Sequence, residues 1–184
     1  MRHALKTFEI NPTGLRCADF GCNVGGFTDC LLQQGAASVI AIDTGYGALA
    51  WKLRQDERVE VRERTNALHA DPPDGGVDLV VVDLGWTPQR HALQAAKRWL
   101  GPGGQIISLV KPHYELDEAR RRKELHSGRL DDAVAQEMLD QVLSGLGDLG
   151  LHSLGTTVSP IRGAKSGRGG KKGNREFLLL AECI

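Results

Sequence analysis

No apolar run in this chain approaches the roughly eighteen residues that a membrane-spanning helix requires. The opening Met1-Arg2-His3-Ala4-Leu5-Lys6 has no apolar secretion core either, so a cytoplasmic protein without a membrane partner is expected. Cysteine is sparse, with four residues and no CxxC pair, which removes the usual spacing for a zinc site or a dithiol redox motif. The six histidines are scattered, and no metal site is expected. Net charge is also missing: 23 cations balance 23 anions. A protein that held nucleic acid over its whole surface would be basic, so any such affinity here must come from a local patch or a partner.

What is present is the composition of one soluble globular domain over residues 1–184, 41% hydrophobic and 25% charged. Short β-branched runs alternate with helical patterns, the signature of βαβ units and a parallel sheet. Strands are expected at residues 15–20, 38–43, 59–63, 77–83 and 105–110. The fourth, Val77-Asp78-Leu79-Val80-Val81-Val82-Asp83, is apolar almost throughout, as a strand covered on both faces must be. Thr87-Pro88 suits the N-cap and first turn of a helix carrying Leu93, Ala96 and Trp99, which Gly101-Pro102-Gly103-Gly104 ends. Asp131-Asp132 opens a long helix with Val134, Met138, Leu139, Val142, Leu143 and Leu146 on one stripe. Two last strands, at 151–158 and 176–181, are joined by a glycine-rich loop that holds no crossover helix, so one of them runs antiparallel. The fold class is therefore α/β: a doubly wound, Rossmann-like, mostly parallel seven-stranded sheet with one antiparallel strand.

Asp19-Phe20-Gly21-Cys22-Asn23-Val24-Gly25-Gly26-Phe27 follows the first strand and opens a helix. Glycines there let the backbone turn sharply and approach a ligand without a Cβ in the way. The spacing is GxxxGG, which is neither a dinucleotide fingerprint nor a Walker loop. Asp43, ending the second strand, is placed to accept hydrogen bonds from ribose hydroxyls.

The glycine segment resembles the cofactor loop of FtsJ-like RNA methyltransferases, most closely their TlyA-type (haemolysin-like) branch. Ala41-Ile42-Asp43-Thr44-Gly45-Tyr46-Gly47, Glu63-Arg64-Thr65-Asn66-Ala67, Leu109-Val110-Lys111-Pro112 and Gly173-Asn174-Arg175-Glu176-Phe177-Leu178 are similar in the same order. The resemblance implies an S-adenosylmethionine-dependent methyltransferase fold that modifies the 2′-hydroxyl of RNA, ribosomal RNA in the first place. It implies that Asp19, Gly21, Asn23, Gly25, Gly26 and Phe27 form the methionine side of the cofactor pocket. Asp43 would meet the ribose, Asn66 the adenine region, and Asp83 the reacting end.

Such enzymes use a Lys-Asp-Lys-Glu set, in which a lysine held by carboxylates stabilises the charge developing on the attacking oxygen. Asp83, Lys111 and Glu176 match three members and are the catalytic candidates. The first lysine falls just ahead of Met1, with Lys6 the nearest lysine in the chain. Leu84-Gly85-Trp86 stands where the branch carries Val-Ser-Phe, and the RNA-binding domain that precedes the catalytic one in TlyA proteins has no counterpart in this chain. His113, two residues after Lys111, reads as a solvated side chain.

Between Arg162 and Arg175 lie six cations and no acid: Arg162, Lys165, Arg168, Lys171, Lys172 and Arg175. Interleaved glycines suit a loop that neutralises RNA phosphates and orders on binding. Two other readings stay open at this point: a non-catalytic, regulatory module that keeps the cofactor pocket, and a methyltransferase acting on a small molecule or protein.

Overall fold

The computed structural model describes residues 1–163 and 173–184. Seven strands form one sheet: β1 (Arg16–Phe20), β2 (Ser38–Ile42), β3 (Val59–Arg62), β4 (Val77–Val82), β5 (Leu100–Val110), β6 (Leu151–Val158) and β7 (Phe177–Cys183). Their spatial order is β3-β2-β1-β4-β5-β7-β6. The pairs within β3-β2-β1-β4-β5 are all parallel, and β7 runs antiparallel to both β5 and β6. This is the doubly wound sheet with one reversed strand that the sequence predicts.

Period-2 alternation divides the core into two layers. Ala18, Phe20, Val80, Val82 and Ile106 face one way. There they meet Ala92, Leu93 and Ala96 of α4 (Gln89–Lys97) and Met138 and Leu139 of α7 (Asp132–Ser144). Cys17, Val39, Leu79, Val81 and Ile107 face the other way. They meet Leu5 of α1 (Arg2–Thr7), Leu31 and Leu32 of α2 (Gly26–Gln33) and Leu53 of α3 (Trp51–Arg54). Two short helices, α5 (Pro112–Glu115) and α6 (Glu118–Glu124), separate β5 from α7. Trp99 is fully buried, edge-on to Phe20 at 5.2 Å, with its indole N–H donated to Ala70 C=O at 3.3 Å. Truncating Trp99 or Leu93 would leave a cavity costing about 3–5 kcal/mol.

Two local readings need correction. β5 begins at Leu100, before Gly101-Pro102-Gly103-Gly104; the glycines form an irregularity in which Val77 pairs with Leu100 and Leu79 with Gln105. A bulge of this kind needs small residues because a Cβ on Gly76 would meet Gly101 N at 2.5 Å. Thr87 does not cap α4: its hydroxyl turns back to Gly85 C=O at 3.1 Å, and Pro88 occupies the N-cap position. Asp131 does cap α7, accepting from Ala133 N–H at 2.8 Å.

No helix among the described residues is long and apolar enough to cross a membrane.

Candidate active site

The parallel strands β1, β2, β4 and β5 end at one edge of the sheet, where open α/β folds bind their ligands. Along the β1–β2 half of that edge the main chain does most of the shaping. Gly21 and Gly25 have φ of 86° and 96°, and Asn23 shares the left-handed region at 46°. A Cβ on Gly21 would sit 2.5 Å from Asp83 C=O, and one on Gly25 would fall inside the Leu53 side chain. The loop therefore packs directly on the end of β4. Gly26 faces open space instead.

Asp19 is fully buried beneath this loop. Its Oδ2 accepts from Thr28 N–H at 2.9 Å and Thr28 Oγ1 at 2.6 Å, while its Oδ1 is buried without a partner. Burial pushes its carboxyl up to about 7, the Thr28 bonds pulling the other way. Asp43 joins two loops: Oδ2 accepts from Asn23 N–H at 2.9 Å and Oδ1 from Gly45 N–H at 2.7 Å. Glu63 steadies the same turn, accepting from Gly47 N–H at 2.8 Å and pairing with Arg54. Asn66 lies exposed beyond β3, its Oδ1 accepting from Leu68 N–H at 3.0 Å in a local turn.

The β4–β5–β7 half is built from side chains instead. Asp83 follows β4, Lys111 follows β5 and Glu176 precedes β7. All three line one cavity of about 310 Å³, together with Phe27, Ser159 and Ile161. Lys111 Nζ pairs with Asp83 Oδ1, and the lysine side chain is only 17% exposed. Glu176 is 7% exposed, and burial pushes its carboxyl up to about 7; Lys111 opposes that shift and Asp83 adds to it. Gly163 makes room for Glu176, since a Cβ there would sit 2.5 Å from Glu176 Oε1. Met1 also lines this cavity, whereas Lys6 is exposed on α1 and is not among the lining residues.

Beside the cavity an aromatic row projects outward. Trp86, 81% exposed and at φ 59°, lies 5.0 Å from the Tyr114 ring, which lies 4.1 Å from His113. His113 is half-buried rather than solvated, with Nδ1 unpartnered; burial first, then Lys111 and Arg121, lower its pKa to about 4. It stays neutral where Lys111 is charged.

Of the cation loop, Lys165, Arg168, Lys171 and Lys172 lie outside the described residues. Arg162 and Arg175 both pair with Asp132 at the start of α7, at 2.8 and 2.9 Å. Asn174 adds bonds to Leu130 N–H and Gly128 C=O, each 2.9 Å. Two guanidiniums against one carboxylate leave positive charge at the loop's base. The run Arg120-Arg121-Arg122-Lys123 is a mixed face, with Arg120 on Glu137 and Arg122 on Glu118.

A profile of the FtsJ-like methyltransferases matches residues 1–179. The chain belongs to the FtsJ-like methyltransferase family. Its relatives include the 16S/23S rRNA (cytidine-2′-O)-methyltransferase TlyA of Mycobacterium tuberculosis, 39% identical over 96% of this chain and 63% of that protein. The candidate rRNA methyltransferase YqxC of Bacillus subtilis is 38% identical over 97% of this chain and 62% of its own length. A solved structure of a candidate hemolysin from Streptococcus thermophilus superposes with a TM-score of 0.88 at 33% identity, covering 99% of this chain and 64% of that one. This FtsJ-like chain thus spans just under two thirds of the length of these three relatives.

Proposed function

We propose that this chain transfers a methyl group from S-adenosylmethionine to a ribose 2′-hydroxyl of RNA, ribosomal RNA being the substrate class, in the cytoplasm. The observation that carries the reading is the convergence of the Lys111–Asp83 ion pair and buried Glu176 on one cavity beside the glycine loop. Three members of the Lys-Asp-Lys-Glu set converging on one cavity favour an enzyme over a module that only binds the cofactor.

The residues fit the cofactor. Asp19 has a buried carboxylate oxygen without a partner, Gly26 leaves open space, and Asp43 keeps lone pairs beyond its two main-chain bonds. Gly21, Asn23 and Gly25 shape the loop around them, and Phe27 closes the wall toward the acceptor cavity. Asn66 uses only its oxygen locally, so its amide N–H groups serve the adenine side. When bound, S-adenosylmethionine supplies a sulfonium-activated methyl group.

The chain's own work is alignment and charge compensation. The Lys111 ammonium, beside the acceptor oxygen, offsets the negative charge that grows as the hydroxyl proton passes to solvent and the oxygen gains the methyl group. Asp83 fixes the ammonium from one side, and Glu176, whose carboxyl burial raises to about 7, lines the same cavity. Trp86, exposed and packed against Tyr114, offers an aromatic ring on which a base beside the target ribose can stack. Arg162, Lys165, Arg168, Lys171, Lys172 and Arg175 supply phosphate contacts that weaken steeply with salt.

Incubation with methyl-labelled S-adenosylmethionine and RNA from ribosomal subunits tests the reading. Label is expected in RNA with the native chain and not with Lys111→Ala. Equal labelling by both would remove Lys111 from the reaction; none with either would reject the RNA substrate.

A further inference from the structure

One buried residue is bonded to the chain on both sides of Lys111, by its side chain before it and by its main-chain N–H after it. Gln89, the first residue of α4, is 3% exposed. Its Oε1 accepts from Ser108 Oγ at 2.6 Å, and its Nε2 donates to Leu109 C=O at 3.2 Å. Its main-chain N–H donates to Glu115 Oε1 at 2.9 Å. Ser108 and Leu109 close β5 just before Lys111; Glu115 ends the α5 turn just after it.

The first N–H groups of a helix have no partner inside it. In α4 the neighbouring hydroxyl of Thr87 is spent on Gly85, so a carboxylate from another element takes the Gln89 N–H. α4 in turn follows the 83–88 segment that carries Asp83. The backbone on both sides of Lys111 is therefore anchored to the residue that opens the helix following Asp83. A buried amide bonded at both ends tolerates little displacement, because slippage would strand polar atoms away from water. Lysine needs such help: its ammonium ends a flexible four-carbon stem, and only a fixed backbone confines it.

We infer that Gln89 and Glu115 are positioning residues that hold the Lys111 ammonium against Asp83, an assignment that rests on the acceptor-site reading above. Neither touches the reacting atoms. Gln89→Leu removes two of the three bonds, Glu115→Ala removes the third, and Glu115→Gln retains an acceptor oxygen.

The test is competitive acetylation by a low dose of an amine-reactive ester, read by mass spectrometry as the labelling ratio of Lys111 to Lys52. The Lys52 side chain is 67% exposed and serves as the internal reference. Gln89→Leu and Glu115→Ala are expected to raise that ratio about fivefold and lower kcat about tenfold, since small misplacements cost rate steeply, with KM for S-adenosylmethionine unchanged. Glu115→Gln should restore both. Should Gln89→Leu fail to fold, Ser108→Ala removes one bond and gives a smaller shift in the same direction. An unchanged ratio in folded variants overturns the assignment. A shifted ratio in a protein that methylates no RNA leaves the bracing in place and rejects the activity.

Discussion

The two halves of the carboxyl edge are made of different material. Beside β1 and β2 the site is largely backbone: left-handed glycines and main-chain N–H groups clasped by Asp43, all within one stretch of chain. Beside β4, β5 and β7 it is side chains drawn from far apart, with Lys111 on Asp83, Glu115 on Gln89, and Arg162 and Arg175 on Asp132. A backbone-built pocket depends on conformation, which glycine supplies locally. A charge-built pocket depends on long-range packing to bring titratable groups together and to shift them. The first half suits a ligand of constant structure, the second a reaction that must manage charge.

The sharpest break comes from Lys111→Ala. Turnover on RNA should fall by about a thousandfold, the scale of losing a preorganised charge at the reacting oxygen. Cofactor affinity, measured by calorimetry, should stay within about twofold because the other half is intact. Gly25→Ala should do the reverse: at φ 96° and against Leu53 the new methyl distorts the loop. Cofactor affinity is expected to drop at least tenfold, and melting to fall by about 1–3 kcal/mol of stability.

Changing pH separates the halves without mutation. Glu176 ionises through about pH 7, so turnover should rise between pH 6 and 8 if its anion is the working form, and Glu176→Gln should lose that limb. Stability moves the opposite way. Asp19, Glu115 and Glu176 are each raised to about 7 from ordinary values of 3.8, 4.5 and 4.5, so the folded state keeps protons that the unfolded state has released. Their contribution is full below those ordinary values and is lost as pH rises through about 7. Thermal melts should therefore decline from pH 5 to 8 while activity climbs. The smallest effect is expected from Asp132→Ala, which frees Arg162 and Arg175: a rise in KM for RNA of about threefold, in keeping with a half-exposed ion pair, and no change in cofactor affinity.

The sequence made one half more legible than the other for the same reason. The Asp19–Phe27 segment and Asp43 are local signals, and strand alternation places them at one edge. Strand positions, the reversed strand and the α7 cap are likewise written in short patterns. Asp83, Lys111 and Glu176 were reachable through the family resemblance, which their places at the ends of apolar strands support. Their bracing was not: Gln89–Glu115 and Arg162–Asp132 span 26 and 30 residues. One signal was available for Gln89. It lies on the same helical stripe as Ala92, Leu93 and Ala96, where a polar residue must find buried partners. His113 misled because burial by α5 and its neighbours, not sequence, sets its environment. Thr87 misled because the Gly85 carbonyl competes for its hydroxyl.

The most direct measurement is alkaline hydrolysis of RNA labelled by the native chain with methyl-labelled S-adenosylmethionine. A methylated 2′-oxygen cannot attack the adjacent phosphate, so the account predicts label in alkali-resistant dinucleotides. Label released in mononucleotides would place the methyl group on a base and contradict the role given to Lys111 at a ribose hydroxyl.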